Sequence, residues 1–220
     1  MAITVITGAN RGIGLELARQ LHERGDTVVA LVRKSSAELD ALGVRVRQGV
    51  DVTSDDDARE VASELSGETI DRLILNAGIL GQVSLDNLNF DDIRRQFEVN
   101  SLGPLRMTSA LLRSLDKGSK IALITSRMGS LADNTSGSHY GYRMSKAALN
   151  MAGVSLSVDL RSRGISVCIL HPGWVRTEMT GGTGNITAAQ SASGLIGCID
   201  RLDLETSGTF WHTDGSTLPW

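Results

Sequence analysis

A tyrosine and a lysine four residues apart carry the strongest chemical signal in this chain. Tyr142 and Lys146 begin and end the run Tyr-Arg-Met-Ser-Lys, at the start of a segment with helical periodicity. On a helix, side chains at i and i+4 lie on one face and can contact one ligand. Because an ammonium group favours a nearby phenolate, we expect Lys146 to lower the pKa of Tyr142 from about 10. Such a tyrosine could exchange a proton with a carbonyl or alcohol oxygen, although the same pair also occurs on ordinary solvated helices.

A glycine-rich loop joins the first predicted strand to the first predicted helix. Gly8, Gly12 and Gly14 give it the spacing G-x-x-x-G-x-G. Glycines permit a tight turn and a close approach of backbone N–H groups to phosphate, and the helix N-terminus adds a favourable dipole. A plain strand-to-helix turn rarely needs three glycines, so the loop predicts a site for the pyrophosphate of a nucleotide.

Two arginines indicate which dinucleotide this site would prefer. Arg33 follows the second predicted strand, where NAD-binding proteins place an acidic residue against the ribose 2′-OH. An arginine there would attract a 2′-phosphate, and Arg11 in the loop could add a second positive charge. We therefore expect NADP(H) rather than NAD(H), unless both arginines are ordinary surface charges.

The composition limits the possible classes of protein. The chain has 220 residues, 41% of them hydrophobic, and 22 basic against 25 acidic side chains give a net charge of −3. This mild acidity argues against a nucleic-acid partner. We expect no membrane partner, since no apolar run reaches about 18 residues. We also expect no secretory leader, since the N-terminal Met-Ala-Ile-Thr-Val has no charged segment before an apolar one, and we place the chain in the cytoplasm. Cys168 and Cys198 lack C-x-x-C spacing and the four histidines lack metal-ligand spacing, which predicts reduced thiols and no metal.

Short β-branched runs alternate with helical periods along the whole chain. The predicted strands are residues 3–7, 27–32, 44–48, 70–75, 120–125, 165–171 and 208–212. The predicted helices pass through 13–21, 54–65, 91–115 and 140–163, and the third breaks near 102–103 because Pro104 follows. Apolar strands separated by helices indicate a parallel sheet covered on both faces. We predict one α/β domain over residues 1–220, a doubly wound, seven-stranded Rossmann fold.

Further segments make the whole chain resemble the classical short-chain dehydrogenase/reductases. Beside the loop and the Tyr-x-x-x-Lys pair, the matching segments are Asp51-Val52, Leu75-Asn76-Ala77-Gly78, Asn100-Ser101-Leu102-Gly103, the strand end at Ser126 and His171-Pro172-Gly173-Trp174-Val175-Arg176-Thr177. Leu75 departs from the family, which has asparagine there. The 16 residues from Ser126 to Tyr142, the run 142–151 and the C-terminal segment are similar to sniffer-type carbonyl reductases and C-factor-like proteins.

The resemblance implies NADPH-dependent reduction of an aldehyde or ketone. Tyr142 would donate the proton, Ser126 would orient the carbonyl oxygen, Lys146 would tune Tyr142 and hold the nicotinamide ribose, and Asn100 would position a water. The implied cofactor residues are Gly8, Asn10, Arg11, Gly12, Ile13, Gly14, Arg33, Asp51, Val52, Asn76, Ala77, Gly78, Tyr142, Lys146, Pro172, Gly173, Val175 and Thr177. Residues up to about 125 would form the cofactor half, and residues 126–220 the catalytic half.

The substrate is less well defined than the reaction. Ser126, Met128 and Trp174 would contact a small-molecule carbonyl compound in an open cleft, and the resemblance implies a homodimer or homotetramer. One alternative is a C-factor-like signalling or regulatory protein that keeps the fold and the cofactor site. Another is a nucleotide-sugar epimerase or dehydratase, but 220 residues leave no room for its separate substrate region.

Overall fold

A seven-stranded, fully parallel sheet forms the centre of the molecule. The computed structural model describes residues 1–81 and 84–220. The strands of the sheet are β1 (Ile3–Thr7), β2 (Thr27–Leu31), β3 (Arg45–Arg47), β4 (Arg72–Leu75), β5 (Lys120–Ile124), β6 (Ser166–His171) and β9 (Phe210–His212). They lie in the order β3-β2-β1-β4-β5-β6-β9, which confirms the predicted doubly wound fold. Thr7 pairs with Leu31 on one side and with Leu75 on the other, so these three strands end at the same level.

Helices cover both faces of the sheet. They are α1 (Gly12–Glu23), α2 (Ala37–Asp40), α3 (Asp55–Glu64), α4 (Phe90–Phe97), α5 (Gly103–Leu111), α6 (Tyr140–Asp159) and α7 (Ala188–Arg201). Helices α1 and α7 pack on one face, and α3, α5 and α6 pack on the other. Alternate strand residues therefore enter different cores: Val5 and Leu73 face α3, α5 and α6, while Ile6 and Ile74 face α1 and α7.

The segment predicted as a helix from 91 to 115 has a more complex structure. Between α4 and α5 lies a five-residue π-helical turn, Glu98–Leu102, and Pro104 sits in the first turn of α5. A proline there needs no intrahelical N–H partner and is tolerated. The predicted break is therefore a π-turn ahead of the proline, and single π-turns are frequent at functional sites.

Other predicted boundaries move by a few residues, and two elements lie outside the prediction. The helix predicted to reach residue 163 ends at Asp159, followed by a 3₁₀ turn, Arg161–Arg163, and by Gly164 at φ +73°. Helix α7 was not predicted at all. Neither was a two-stranded parallel ribbon formed by β7 (Val175–Arg176) and β8 (Ile186–Thr187).

Over residues 1–81 and 84–220, none of the helices is long and apolar enough to cross a membrane. The same residues contain no group of three or more His, Cys, Asp or Glu side chains placed to hold a metal ion. Cys168 and Cys198 are both buried free thiols, as their apolar surroundings predict.

Candidate active site

The glycine loop needs its glycines for two different reasons. Gly8 and Gly12 have φ values of +68° and +56°, a backbone region that L side chains rarely adopt. Gly14 has helical geometry, but a Cβ there would lie 2.3 Å from the Gly8 carbonyl oxygen and 2.5 Å from Asn76 Nδ2. The Asn76 amide in turn donates to the carbonyls of Thr7 and Gly8. The loop is thus held tightly against the end of β4, with its backbone free to approach a ligand.

A cavity of about 870 Å³ lies at the carboxyl ends of β1, β2 and β4, beside this loop. Of the residues predicted to hold a cofactor, those that line it are Gly8, Asn10, Arg11, Gly12, Ile13, Gly14, Arg33, Asp51, Val52, Asn76, Ala77, Gly78 and Thr177. This is the place where open α/β sheets bind ligands. The glycine cradle and the basic and acidic groups around it fit a phosphorylated dinucleotide.

The cavity also has lining residues that the sequence did not predict. They are Leu31, Val32, Lys34, Val50, Thr53, Ile79, Arg95, Glu98, Val99, Glu178 and Met179. Most of these residues are sequence neighbours of a predicted cofactor residue. The hydrophobic residues at the strand ends, next to Arg33 and Asp51, could therefore have been predicted to line the cavity. Arg95 and Glu98 come from the α4 end and the π-turn, which the sequence pattern did not place at the cavity.

The two arginines occupy different electrostatic settings. Arg33 is exposed at the cavity wall. Burial opposes ionisation of Asp51, but hydrogen bonds from Thr53 and then the charges of Arg33 and Arg95 bring the pKa of Asp51 below its ordinary value. Arg11 instead forms an ion pair with Glu178, across the cavity mouth from the loop to the segment after β7. Arg33 is therefore the better placed of the two for a 2′-phosphate.

The Tyr142–Lys146 pair is buried. The exposed fractions are 9% for Tyr142 and 4% for Lys146, and Lys146 Nζ lies 5.7 Å from the centroid of the Tyr142 ring. Burial raises the pKa of Tyr142 to about 12, against a smaller lowering by the Ser126 hydroxyl, and burial lowers the pKa of Lys146 to about 7. The expected fall in the Tyr142 pKa is therefore wrong, because desolvation dominates. The Lys146 ammonium donates to the Ile124 carbonyl at 2.9 Å and does not contribute to the shift.

Ser126 follows β5 and stands beside Tyr142. It is buried, with 7% of its surface exposed, and its Oγ accepts a hydrogen bond from the Met128 amide at 3.1 Å. This caps the 3₁₀ turn Arg127–Gly129. Ser126 is thus a turn residue. Its hydroxyl also forms a hydrogen bond with the Tyr142 phenol, which favours a lower Tyr142 pKa.

Asn100 lies inside the π-turn and is completely buried. Its Oδ1 accepts from the Ile79 amide at 2.8 Å, and its Nδ2 donates to the Ile79 carbonyl at 2.9 Å and to Ser145 Oγ at 3.0 Å. A Cβ on Gly78 would lie 3.3 Å from Asn100 Oδ1 and 3.6 Å from Lys146 Nζ. Gly78 also lines the cavity, so Asn100 and Lys146 meet at its wall.

The predicted segment after β6 has a mainly structural set of contacts. The Pro172 carbonyl accepts from Ser191 Oγ at 2.7 Å, Gly173 has φ +84°, and Val175 pairs with Ile186 in the ribbon. Of this segment, Thr177 reaches the cavity. Among the predicted substrate residues, Met128 is half-buried next to Ser126, whereas Trp174 is 56% exposed.

Comparison with known proteins identifies the family. The model of the short chain dehydrogenase family matches residues 2–186. The 1-hydroxy-2-glutathionyl-2-methyl-3-butene dehydrogenase of Rhodococcus sp. (strain AD45) is 45% identical over 226 residues, covering 100% of both chains. The C-signal protein of Myxococcus xanthus is 47% identical over 165 residues, which are 74% of this chain and 99% of that protein.

Solved structures agree with this result. The NADPH-bound carbonyl reductase from chicken fatty liver has a TM-score of 0.91 and 29% identity, over 100% of this chain and 98% of that one. The carbonyl reductase Sniffer of D. melanogaster has a TM-score of 0.91 and 27% identity, over 100% and 99%. The chain therefore belongs to the short-chain dehydrogenase family, as its motifs predict, and its structure is similar to the sniffer-type carbonyl reductases.

Proposed function

We propose that this protein is an oxidoreductase that uses NADPH to reduce an aldehyde or ketone to an alcohol. The observation that carries the proposal is the buried Tyr142–Lys146 pair, with Ser126 beside the phenol and Gly78 connecting Lys146 to the large cavity. The cofactor half, residues 1–125, contributes all of the lining residues except Thr177, Glu178 and Met179. Ser126, Tyr142 and Lys146 belong to the catalytic half, residues 126–220.

NADP(H) is the proposed cofactor because Arg33 stands at the cavity wall where a 2′-phosphate would lie. The NADPH-bound structural relative from chicken supports this choice. When bound, the cofactor supplies the hydride for the carbonyl carbon. The residues around the loop hold and orient it, and the protein's own side chains manage the proton.

Tyr142 is the proposed proton donor. With its pKa raised to about 12 by burial, the phenol is protonated at neutral pH and can give its proton to the carbonyl oxygen as negative charge develops. Ser126 donates a hydrogen bond to that oxygen and fixes its position. Lys146, with its pKa lowered to about 7, can give and take a proton near neutral pH. Asn100 and Lys146 both lie next to Gly78 at the cavity wall, and the role we propose for Asn100 is to position a water there.

The test compares two tyrosines on one helix. Tyr142→Phe should lower the rate of carbonyl-dependent NADPH oxidation by about 10²–10⁴-fold, since it removes a general acid. Tyr140→Phe is the matched control, because Tyr140 is 37% exposed on the same helix and should keep near wild-type activity. Equal rates for Tyr142→Phe and the wild type would reject the proposed role of Tyr142. A wild type inactive on the whole carbonyl panel would reject the function.

The substrate panel follows from the relatives. The Rhodococcus enzyme is named for oxidation of a hydroxy compound that carries a glutathionyl group. The panel should therefore include an alcohol with a glutathionyl group, assayed with NADP⁺, beside simple aldehydes and ketones. A preference of at least tenfold for the conjugate would define the substrate class.

A signalling role is the second candidate, favoured by the 47% identity to C-signal over nearly all of that protein. The Tyr142→Phe variant distinguishes the two functions. A signalling or regulatory activity that needs only the fold and the cofactor site would survive this substitution, whereas carbonyl reduction would not.

A homodimer or homotetramer is also proposed. Met144, Met151 and Val158 are 51%, 67% and 69% exposed at seven-residue spacing, on one face of α6. An apolar helical stripe of this kind suits contact with a second copy of the chain. Sedimentation equilibrium tests this, and a mass of 23.5 kDa at all concentrations would reject it.

A further inference from the structure

Three consecutive residues directly before α6 adopt left-handed backbone conformations. The φ values are +61° for Gly137, +58° for Ser138 and +50° for His139. Within residues 1–81 and 84–220, Ser138 and His139 are the non-glycine residues with positive φ. L side chains disfavour this region, so such residues persist only where their surroundings hold them. Something in the structure must hold residues 137–139, which we term the left-handed turn.

Arg143 makes the contacts that hold this turn. Its Nε donates to the Gly137 carbonyl at 2.9 Å and to the Ser138 carbonyl at 3.2 Å. Its Nη2 donates to Ser136 Oγ at 2.8 Å, and its backbone amide donates to the His139 carbonyl at 2.9 Å. One residue of α6 thus binds four successive residues of the loop.

The same guanidinium also contacts the 3₁₀ turn that follows Ser126. Arg143 Nη1 donates to the Met128 carbonyl at 3.4 Å, the longest of its contacts. Met128 belongs to the 3₁₀ turn that Ser126 caps. Arg143 directly follows Tyr142 in the chain, so its side chain connects the turn of Ser126, the left-handed turn and the helix of Tyr142.

We propose that Arg143 is a positioning residue that fixes the left-handed turn and the relative placement of Ser126 and Tyr142. This inference rests on the proposed function, because it assigns a role in the same reaction. Arg143 is half-buried, and within the described part of the chain it forms no ion pair. Its side-chain N–H groups instead donate hydrogen bonds to the left-handed turn, to Ser136 and to Met128. Its planar fork serves several fixed acceptors at once, which the single ammonium of a lysine cannot do.

The first experiment separates positioning from folding by kinetics. Arg143→Met should lower the kcat/KM of the carbonyl substrate by about 10–100-fold, since small displacements of reacting groups cost rate on this scale. The affinity for NADPH should stay within twofold of wild type, because the cavity does not include the loop. Arg143→Lys, which keeps the charge, should recover less than a third of the lost rate. Arg94→Met, on a highly exposed arginine of α4, is the control and should match wild type.

The second experiment relieves the backbone strain directly. Glycine accepts positive φ without steric cost, so Ser138→Gly added to Arg143→Met should recover at least threefold of the lost kcat/KM. Amide hydrogen exchange at residues 134–139 should accelerate in Arg143→Met and slow again in the double variant. If Arg143→Met does not fold, the Arg143→Lys and Arg143→Lys/Ser138→Gly pair replaces it in both measurements.

The outcomes are distinct. Unchanged carbonyl kinetics and unchanged exchange in a folded Arg143 variant would overturn the proposal. A variant with a lower melting temperature but wild-type kcat/KM would overturn it too, because the role would then be structural only. If the wild type reduces no carbonyl compound, the proposed function fails and the role of Arg143 in the reaction fails with it. Faster amide exchange in Arg143→Met would still show in that case that Arg143 holds the left-handed turn.

Discussion

Lys146 shows how burial sets the ionisation of this site. Its pKa falls from 10.5 to about 7 because the ammonium is desolvated, and no carboxylate contributes to the shift. Between pH 7 and 10.5 the unfolded chain therefore holds a proton on this lysine that the folded chain has largely lost. The free energy of unfolding should therefore rise with pH in this window. The cost of burying the ammonium is largest at and below pH 7 and disappears as the pH approaches 10.5.

The Lys146→Met variant tests this at the residue scale. Wild type should gain up to about 1.4 kcal/mol of stability per pH unit relative to Lys146→Met between pH 7 and 9.5. Lys117→Met, on an exposed lysine, is the control and should follow wild type. Tyr142 does not change the pH dependence of stability between pH 7 and 9.5. Its pKa is about 12 in the folded chain and 10.0 ordinarily, so its protonation differs between the folded and unfolded chains only above about pH 10. Urea unfolding at several pH values measures the slopes, and parallel curves for wild type and Lys146→Met would contradict the assignment.

Single residues were predictable where their type is restricted by chemistry. Glycines at positive φ, an arginine at a strand end and a Tyr-x-x-x-Lys pair can all be recognised in the sequence. The structure places the loop glycines and Arg33 in the lining of one cavity, and it places Lys146 beside Gly78 at the cavity wall. The direction of the Tyr142 pKa was not predictable, because it depends on how deeply the helix is buried. The pairing of Arg11 with Glu178 joins residues far apart in the chain and has no local signal.

At the scale of elements, helix α7 has a composition that explains why it was not predicted from the sequence. Its apolar face, with Leu195, Ile196 and Ile199, is regular, and Thr187 forms a capping box with Gln190. Gly194 and Gly197 lie inside this continuous helix, and glycine is unfavourable in helix interiors. These glycines obscured the helix, although they serve different purposes in the structure.

The two glycines of α7 predict opposite effects of the same substitution. Around Gly197 a Cβ would meet nothing within 4 Å, so Gly197→Ala should stabilise the protein by about 0.5–1 kcal/mol. At Gly194 a Cβ would lie 2.2 Å from the Thr213 carbonyl oxygen, so Gly194→Ala should destabilise by about 1–3 kcal/mol. Thermal unfolding measures both, and each variant controls for the other on the same helix. A lower melting temperature for Gly197→Ala would contradict the open space found there.

The π-turn is the element that the sequence could not define. A proline at position 104 indicated a break, but a break has many geometries. The geometry found here buries Asn100 and lets its amide bind both backbone groups of Ile79, which fixes the strand-end segment beside the cavity. That choice depends on the segment after β4 lying within reach, and therefore on tertiary structure.

At the scale of the whole molecule, the strand order explains why distant segments meet. Strands β1 and β4 are neighbours at the centre of the sheet, and the chain crosses to opposite sides from there. Alternating strands and helices predicted a doubly wound parallel sheet, because parallel strands need crossover connections. The order of the strands comes from the structure. The ribbon of β7 and β8 was not predictable, since its two-residue strands are too short to carry a pattern.

Ligand binding to this central crevice should stabilise the entire fold, which gives a test of cofactor choice without any substrate. A ligand that binds the folded state alone adds about 2.7 kcal/mol at a concentration 100 times its Kd. At equal concentrations NADPH should therefore raise the melting temperature of wild type more than NADH does. Because charged hydrogen bonds contribute about 1.5–3 kcal/mol, Arg33→Asp should weaken NADPH binding by roughly 10–100-fold and reverse this preference.

Arg113→Asp makes the same charge change on an exposed arginine outside the residues that line the cavity, so it should keep the wild-type preference. If Arg33→Asp still shows the larger shift with NADPH, Arg33 does not select the cofactor. Arg11 would then be the next candidate, and it would have to leave Glu178 to reach the phosphate. Salt should reduce the NADPH shift more than the NADH shift in wild type, since the selecting contact is between exposed charges.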